Sequence, residues 1–173
     1  MNIEAALTTQ NPYMFGKEYL QSRITSDIAL ARHIGIVVER ADEDGIVLTA
    51  PLAPNANHTG TAFGGSLFSV AVLTGWAWVT RYFAATAVAA DAVIQESTIR
   101  YLAPVTGVLR ATLISPPAAE VERFGKMLQR AGRGRIRLRV QIHHEHKLAS
   151  QFDGVYAATV RQNFAEKCGS TSR

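Results

Sequence analysis

The order of hydrophobic and polar positions along the chain predicts three helices. Residues 17–33 carry apolar side chains every three or four positions and are followed by a glycine, which indicates an amphipathic first helix. Residues 66–83, SLFSVAVLTGWAWVTRYF, are apolar almost all round, so they predict a long helix that other elements cover on most sides. A shorter amphipathic helix ended by glycines is predicted within residues 118–134.

The remaining regular segments have the alternation or β-branched enrichment typical of strands, bounded by Gly, Pro or Asp. They are IGIVVER, IVLTAPL, AVIQESTIRYLAPV, GVLRATLISPP, RIRLRVQIHHEH and FDGVYAATVRQN, and the turn ADEDG makes the first two a hairpin. We therefore predict an α+β fold in which an antiparallel sheet of about six strands wraps the long central helix. Because the sequence has no repeats or linkers, we expect residues 1–165 to form one domain that includes the N-terminal helix, and residues 166–173 to form a flexible tail.

Composition narrows the class of protein. The 173 residues are 47% hydrophobic and 18% charged, which is typical of a globular domain and excludes a disordered chain. Cys168 is the single cysteine, so an intramolecular disulfide and a thiolate metal site are excluded, and a reducing cytoplasm is the expected setting, with no secretory signal at the N-terminus. Residues 62–80 are uncharged and long enough to cross a bilayer, but their Gly, Ser and Thr content and strand-like flanks favour a buried helix over membrane insertion.

The net charge of the chain and the open edge of the predicted sheet indicate which kinds of partner to expect. A net charge of +4 is compatible with acidic small molecules, coenzyme phosphates, nucleic acid or an acidic carrier protein, and does not select among them. A sheet with few covering helices leaves an edge or face that favours self-association, so we expect a homodimer, with a tetramer left open.

The segment NANHTGTAFGGSLF places polar side chains on a glycine-rich loop directly before the most apolar helix. A helix N-terminus has backbone N–H groups without intrahelical partners and a partial positive charge. Gly64 and Gly65 allow a carbonyl to approach the backbone closely, so the amides of Gly65 and Ser66 are suited to stabilising an oxyanion. Asn57 is suited to orienting the carbonyl or a water, and His58 to acting as a base.

Each of these residues also has a simpler interpretation. Asn57 is a common loop residue, although the glycine pair and the apolar helix favour a functional role. His58 is equally compatible with a solvent-facing loop position. Ser66 lacks the Gly-x-Ser-x-Gly context of an activated nucleophile, so helix capping is the favoured role for its side chain.

The loop, the later segment IRYLAPVTG and the segment FDGVYAA together resemble the hotdog-fold thioesterases. The stretch APLAPNANHTGTAFGGSLFSVAVLTGW is similar to the YiiD C-terminal type of thioesterase, and the resemblance extends over about residues 12–163. It implies a hotdog fold, dimerisation through the sheet, and hydrolysis of fatty acyl thioesters of coenzyme A or acyl carrier protein. Coenzyme A would enter as part of the substrate, and no other cofactor is expected.

The chain departs from the phenylacetate-type relatives at the expected catalytic position. Those relatives have His-Gly-Gly before the helix and an acidic residue about two turns later, whereas here Phe63 precedes the glycines and residues 66–80 contain no carboxylate. Glu96 is the leading substitute, because the equivalent strand runs close to the helix start across a hotdog dimer. Strand parity opposes this assignment, since the more apolar alternating set is predicted to face the core, which turns Glu96 away unless a bulge intervenes. That set comprises Val93, Gln95, Ser97, Ile99 and Tyr101. Gln95 or Ser97 remain alternatives for holding the attacking water.

Three other features concern binding. His144 and His146 share one face of a strand but have no third ligand, so we expect no metal site. Arg133, Arg135, Arg137 and Arg139 alternate along a strand, which suits either a solvated face or, at Arg137 and Arg139, coenzyme A phosphates or an acidic carrier. No aromatic residue lies between these arginines, which disfavours nucleic acid as a partner.

Phe68 and Trp76 lie on the core helix and are the expected contacts of the acyl chain, with the packing of the helix as the alternative role for Trp76.

The sequence therefore favours an acyl-thioester hydrolase in which the helix start holds the carbonyl and Asn57, with His58 or Glu96, directs water. A non-hydrolytic acyl-binding or carrier-binding protein is the alternative, because the helix lacks a carboxylate. A basic nucleic-acid binder is the third and least favoured hypothesis.

Overall fold

The computed structural model describes residues 15–161. The helices are α1 (Lys17–Asp27), α2 (Ala29–His33), α3 (Gly64–Ala85) and α4 (Ala118–Ala131). The strands are β1 (Val37–Asp42), β2 (Gly45–Ala50), β3 (Ala90–Tyr101), β4 (Leu109–Ile114), β5 (Arg133–His144) and β6 (Lys147–Val160), and a 3-10 turn spans Ala53–Asn55. The six strands form one antiparallel sheet in the order β1-β2-β4-β5-β6-β3. The predicted six-stranded sheet and long helix are confirmed.

Helix α3 lies at the centre of the core. Along its 22 residues, ten are buried, including Val70, Ala77 and Phe83. Buried residues of β1, β2, β4, β5 and β6 contribute to the same core cluster, and α1 and α4 add Leu20, Ile24 and Phe124 to it. Half-buried residues of β3 pack against this cluster. Residues 66–83 therefore belong to an apolar helix that is covered on most sides, as predicted. The helix begins two residues earlier and ends two residues later than predicted. None of the helices in the described part of the chain has the length and hydropathy needed to cross a membrane.

The predicted first helix is interrupted. Ile28 has an extended backbone, φ −125° and ψ 101°, and divides residues 17–33 into α1 and α2. The interruption leaves Leu20, Ile24 and Ala31 buried in the core. Helix α4 ends as predicted, because Gly132 adopts the left-handed conformation, φ 64°, that glycine allows without penalty. The predicted tail, residues 166–173, lies outside the described residues.

Strand β3 is an edge strand with a bulge. It pairs only with β6 among the described elements, and the register shifts between Ile94 and Glu96, so that Gln95 has no partner across the ladder. Because of the bulge, odd-numbered residues lie on opposite faces of the strand before and after Gln95. The prediction that Val93 and Gln95 face the core is wrong, since both are exposed. Ser97 and Ile99 are half-buried as predicted, and Tyr101 on the same face is 53% exposed but contacts the start of α3.

Candidate active site at the start of helix α3

The loop before α3 is a short hairpin held by its own side chains. Ala56 and Ala62 form an isolated antiparallel bridge, and the amide of Asn57 donates to the carbonyl of Thr61 at 2.7 Å. The tip turns at Gly60, where φ is +77°. The amide of Ala62 donates to the carbonyl of Val105 at 2.8 Å, which ties the hairpin to the segment after β3.

The side chain of Asn57 is bound within this hairpin. Its Oδ1 accepts from the Thr59 amide at 2.9 Å, the Thr59 hydroxyl at 2.7 Å and the Thr61 amide at 3.2 Å. Its Nδ2 donates to the Thr61 hydroxyl at 2.9 Å. Asn57 therefore shapes the loop that leads into α3. His58, the next residue, lies exposed at the hairpin tip.

Asn55 anchors the base of the same loop. It is buried, and its Nδ2 donates to the carbonyls of Ile34 at 2.8 Å and Pro51 at 2.7 Å. Its own carbonyl accepts from the amide of Phe63 at 2.7 Å. Asn55, which has the sequence character of a turn residue, thus fixes the position at which α3 begins.

Helix α3 starts without a side-chain cap. Phe63 occupies the N-cap position with an extended backbone, and it makes no side-chain capping hydrogen bond. The first backbone bond of the helix runs from the amide of Leu67 to the carbonyl of Phe63 at 3.0 Å. The amides of Gly64, Gly65 and Ser66 precede it, as donors in a region of partial positive charge. The prediction that Ser66 caps the helix is wrong, because the helix begins before it.

The two glycines have different surroundings. A Cβ on Gly65 would lie 2.3 Å from Cε1 of Phe63, so the phenyl ring rests directly against this glycine. A Cβ on Gly64 would lie 3.4 Å from the ring and hydroxyl of Tyr101, an ordinary contact distance. Phe63 is 57% exposed, so its ring forms one outer wall of the helix start.

Tyr101 is a site residue that the sequence did not reveal. Its hydroxyl donates to the carbonyl of Gly64 at 2.9 Å and joins the end of β3 to the start of α3. Partial burial raises the pKa of Tyr101, so the hydroxyl remains a donor at neutral pH. Tyr101 lies in the segment IRYLAPVTG, and strand parity places its side chain on the core face, but parity does not indicate the contact with Gly64.

A cleft of about 360 Å³ opens beside this contact. Its lining is mainly apolar and comprises Ala62, Gly64, Leu67, Tyr101, Leu102, Ala103, Pro104 and Val105. The cleft places apolar surface next to free backbone donors, a combination suited to a ligand with one polar centre and an apolar body.

The other candidate residues lie away from the helix start within one chain. Glu96 is exposed and precedes Tyr101 by five residues on β3, about 17 Å along an extended strand. Arg137 and Arg139 are exposed on the face of β5 opposite Leu138 and Val140, which are buried in the core with α3. They project from the outer face of the sheet.

Phe68 and Trp76 both pack on the core. The ring of Phe68 meets that of Phe152 edge-to-face, with centroids 5.8 Å apart. Trp76 lines a separate cavity of about 550 Å³ between α1, the second half of α3 and the start of β3. Within residues 15–161, no three His, Cys, Asp or Glu side chains come together as a metal site would require.

A model of a protein family described as a putative thioesterase, the YiiD C-terminal type, matches residues 17–160. The chain belongs to this thioesterase family. Its hotdog fold also recurs in solved structures. A Shewanella oneidensis protein described as a putative thioesterase is 32% identical, with 84% of this chain and 97% of that chain covered and a TM-score of 0.75.

Two further structures have the same fold. A Chlorobaculum tepidum protein of unknown function is 32% identical, with 84% of this chain and 94% of that chain covered and a TM-score of 0.80. The Escherichia coli PaaI protein from the phenylacetic acid degradation operon is 20% identical, with 85% and 94% covered and a TM-score of 0.58. The last similarity concerns the fold alone.

Proposed function

We propose that this protein hydrolyses acyl thioesters of coenzyme A or of an acyl carrier protein. The observation that carries the proposal is the uncapped start of α3, where the Gly65 and Ser66 amides lie between Gly64 and Leu67, two residues that line an apolar cleft. The thioester oxygen would accept from these amides, which stabilise the negative charge that develops on it during attack. The apolar cleft would hold the adjoining part of the substrate.

In the proposed reaction a water attacks the thioester carbon and gives a proton to a base. Two residues are candidates for the base: His58 in the hairpin before α3, and Glu96 reaching the helix start of a second copy, since within one chain Glu96 lies about 17 Å along β3 from the residue that contacts Gly64. Collapse of the tetrahedral intermediate breaks the C–S bond, and the protonated base returns the proton to the leaving thiolate. The products are a carboxylic acid and a free thiol.

Helix α3 contains no Asp or Glu, which favours the alternative of an acyl-binding protein without hydrolytic activity. The two functions separate in one assay: the full chain is incubated with acyl-coenzyme A esters of increasing chain length, and thiol release is measured. We expect turnover, and whichever of His58→Ala and Glu96→Gln abolishes it identifies the base. Saturable binding without thiol release at any chain length would establish the alternative.

We also propose that the protein is a homodimer paired through β3. This 12-residue strand has one free edge in the described structure, and a long free edge favours pairing with another strand. A monomeric mass by sedimentation at assay concentration would contradict this assembly.

Asn57→Ala is expected to lower kcat/KM about 10- to 100-fold, because the hairpin before α3 loses four internal hydrogen bonds and a small displacement misplaces reacting groups. Asn57→Asp is the matched control. It keeps the oxygen that accepts from Thr59 and Thr61 and should stay within about fivefold of wild type. Equal losses in both variants would instead mean that the amide of Asn57 contacts the substrate.

A further inference from the structure

The outer face of β5 carries the strongest local charge on the chain. Residues 123–139 contain seven Lys and Arg and no Asp or Glu, whereas the other residues contain eleven basic and fourteen acidic side chains. The net positive charge of the protein thus comes from this one segment. Four of the seven cations alternate along β5 and share its outer face, and we call them the arginine face: Arg133, Arg135, Arg137 and Arg139.

Most of the arginine face has no acidic partner. Some exposed arginines elsewhere on the sheet pair across strands, as Arg110 does with Glu39 at 2.7 Å. Arg139 pairs in the same way with Asp153 on β6 at 2.8 Å. Within residues 15–161, the other three arginines form no salt bridge, so their charges are free for an external partner.

Small and apolar residues lie beside these free charges. Across β6, the partners of Arg133, Arg135 and Arg137 are Thr159, Ala157 and Val155. One strand further, the exposed Val93 of β3 is opposite Ala157. The outer face therefore presents a row of cations next to a shallow apolar strip, which is an amphipathic surface rather than a purely ionic one.

We propose that this surface binds an acidic amphipathic helix of a partner protein. The arginines recur every second strand residue, about 6.8 Å apart, and span about 20 Å. Carboxylates at every fourth position of a helix recur about 6 Å apart, so a helix of about 14 residues matches the whole row. Its neighbouring apolar side chains would then cover Val155, Ala157 and Val93.

Other anionic partners fit this surface less well. The phosphates of a nucleic acid would pair with the arginines, but its backbone has no apolar groups to pack on the apolar strip. A second copy stacked face to face would bring arginine against arginine. An anionic membrane, which is flat, would contact Asp91 and Glu96 on β3 and Asp153 on β6, whereas the carboxylates of a helix that follows β5 would lie two strands, about 10 Å, from β3. The surface is on the opposite side of the sheet from α3, so this inference goes beyond the proposed function and does not depend on it.

The test measures binding of a labelled 18-residue helical peptide, with Glu at every fourth position and Leu beside each Glu, to the full chain by fluorescence anisotropy. We expect saturable binding that weakens with salt and that a Gln-for-Glu version of the peptide loses. Arg133→Glu with Arg135→Glu should raise Kd about 10- to 100-fold. Lys17→Glu with Lys147→Glu changes the net charge equally at exposed sites outside the arginine face and should stay within about twofold.

Four results would overturn the proposal. One is equal binding of the Glu and Gln peptides, and another is equal weakening in the two double variants. The third is tighter binding of a 20-base-pair DNA duplex or of phosphatidylserine vesicles than of the acidic peptide. The fourth is salt-sensitive self-association that Arg133→Glu with Arg135→Glu abolishes, which would make a second copy the occupant.

Discussion

Gly65→Ala is expected to lower kcat/KM for thioester hydrolysis by about 100-fold while the protein stays at least as stable as wild type. The new methyl group would lie 2.3 Å from the ring of Phe63, so the ring must move and the methyl group stands beside the amides proposed to hold the oxyanion. Loss of one such donor interaction typically costs 10²–10³-fold. Alanine is the better helix former by up to about 1 kcal/mol, so thermal unfolding should not fall.

The neighbouring glycine supplies the control. A Cβ on Gly64 meets Tyr101 at 3.4 Å, an ordinary contact, so Gly64→Ala should cost less than about tenfold in kcat/KM. A second variant, Gly65→Ala with Phe63→Ala, separates the two causes. Recovery of activity there would assign the loss to the displaced ring, and continued loss would assign it to the methyl group at the amides. Wild-type kcat/KM for Gly65→Ala alone would rule out this helix start as the carbonyl site.

The fold could be predicted because its signals are local and repetitive. The apolar run of α3, the ADEDG turn and the alternation in β5 each dictate one element whatever the rest of the chain does. The bulge in β3 could not be predicted, because the pairing with β6 decides which residue is left out of the ladder. One extra residue at Gln95 was enough to turn Val93 outward and to separate the two halves of the strand.

The backbone of the candidate site could be predicted from the sequence, whereas the contacts of its side chains could be predicted only in part. The glycine pair before an apolar helix correctly indicated free amides at the start of α3. The contact between Tyr101 and Gly64 joins residues 37 positions apart, so no local pattern contains it. The hydrogen bonds of Asn57 are local, but whether an asparagine faces its own loop or a ligand depends on the turn that Gly60 permits.

Gly75 illustrates the same limit inside the core. In the sequence a small residue beside Trp76 is compatible with space for an acyl chain. In the structure a Cβ on Gly75 would lie 2.2 Å from the hydroxyl oxygen of Tyr156, so the tyrosine occupies that space. Tyr156 is fully buried, and its hydroxyl donates to the carbonyl of Val72 at 2.8 Å. Strand β6 is thereby joined to the middle of α3.

Tyr156→Ala is accordingly expected to lower the free energy of unfolding by about 3–5 kcal/mol, because it removes a buried aromatic ring and leaves a cavity against α3. Tyr156→Phe should cost only about 1 kcal/mol, since the Val72 carbonyl keeps its donor within the helix. Urea denaturation monitored by circular dichroism gives both values. A cost below about 1.5 kcal/mol for Tyr156→Ala would mean that the ring adds little to the packing of β6 on α3.

A double-mutant cycle tests whether the glycine exists to admit the hydroxyl. Gly75→Ala alone should cost about 2 kcal/mol, because overpacking outweighs the better helix propensity of alanine. If the contact is mainly with the hydroxyl, Gly75→Ala combined with Tyr156→Phe will be more stable than the sum of the single effects predicts. Strict additivity would place the overlap at the ring carbons, the nearest of which lies 2.6 Å from the position that the added methyl group would take. Either result locates the atoms that fix the distance between β6 and α3, and with it the position of the helix whose start forms the proposed site.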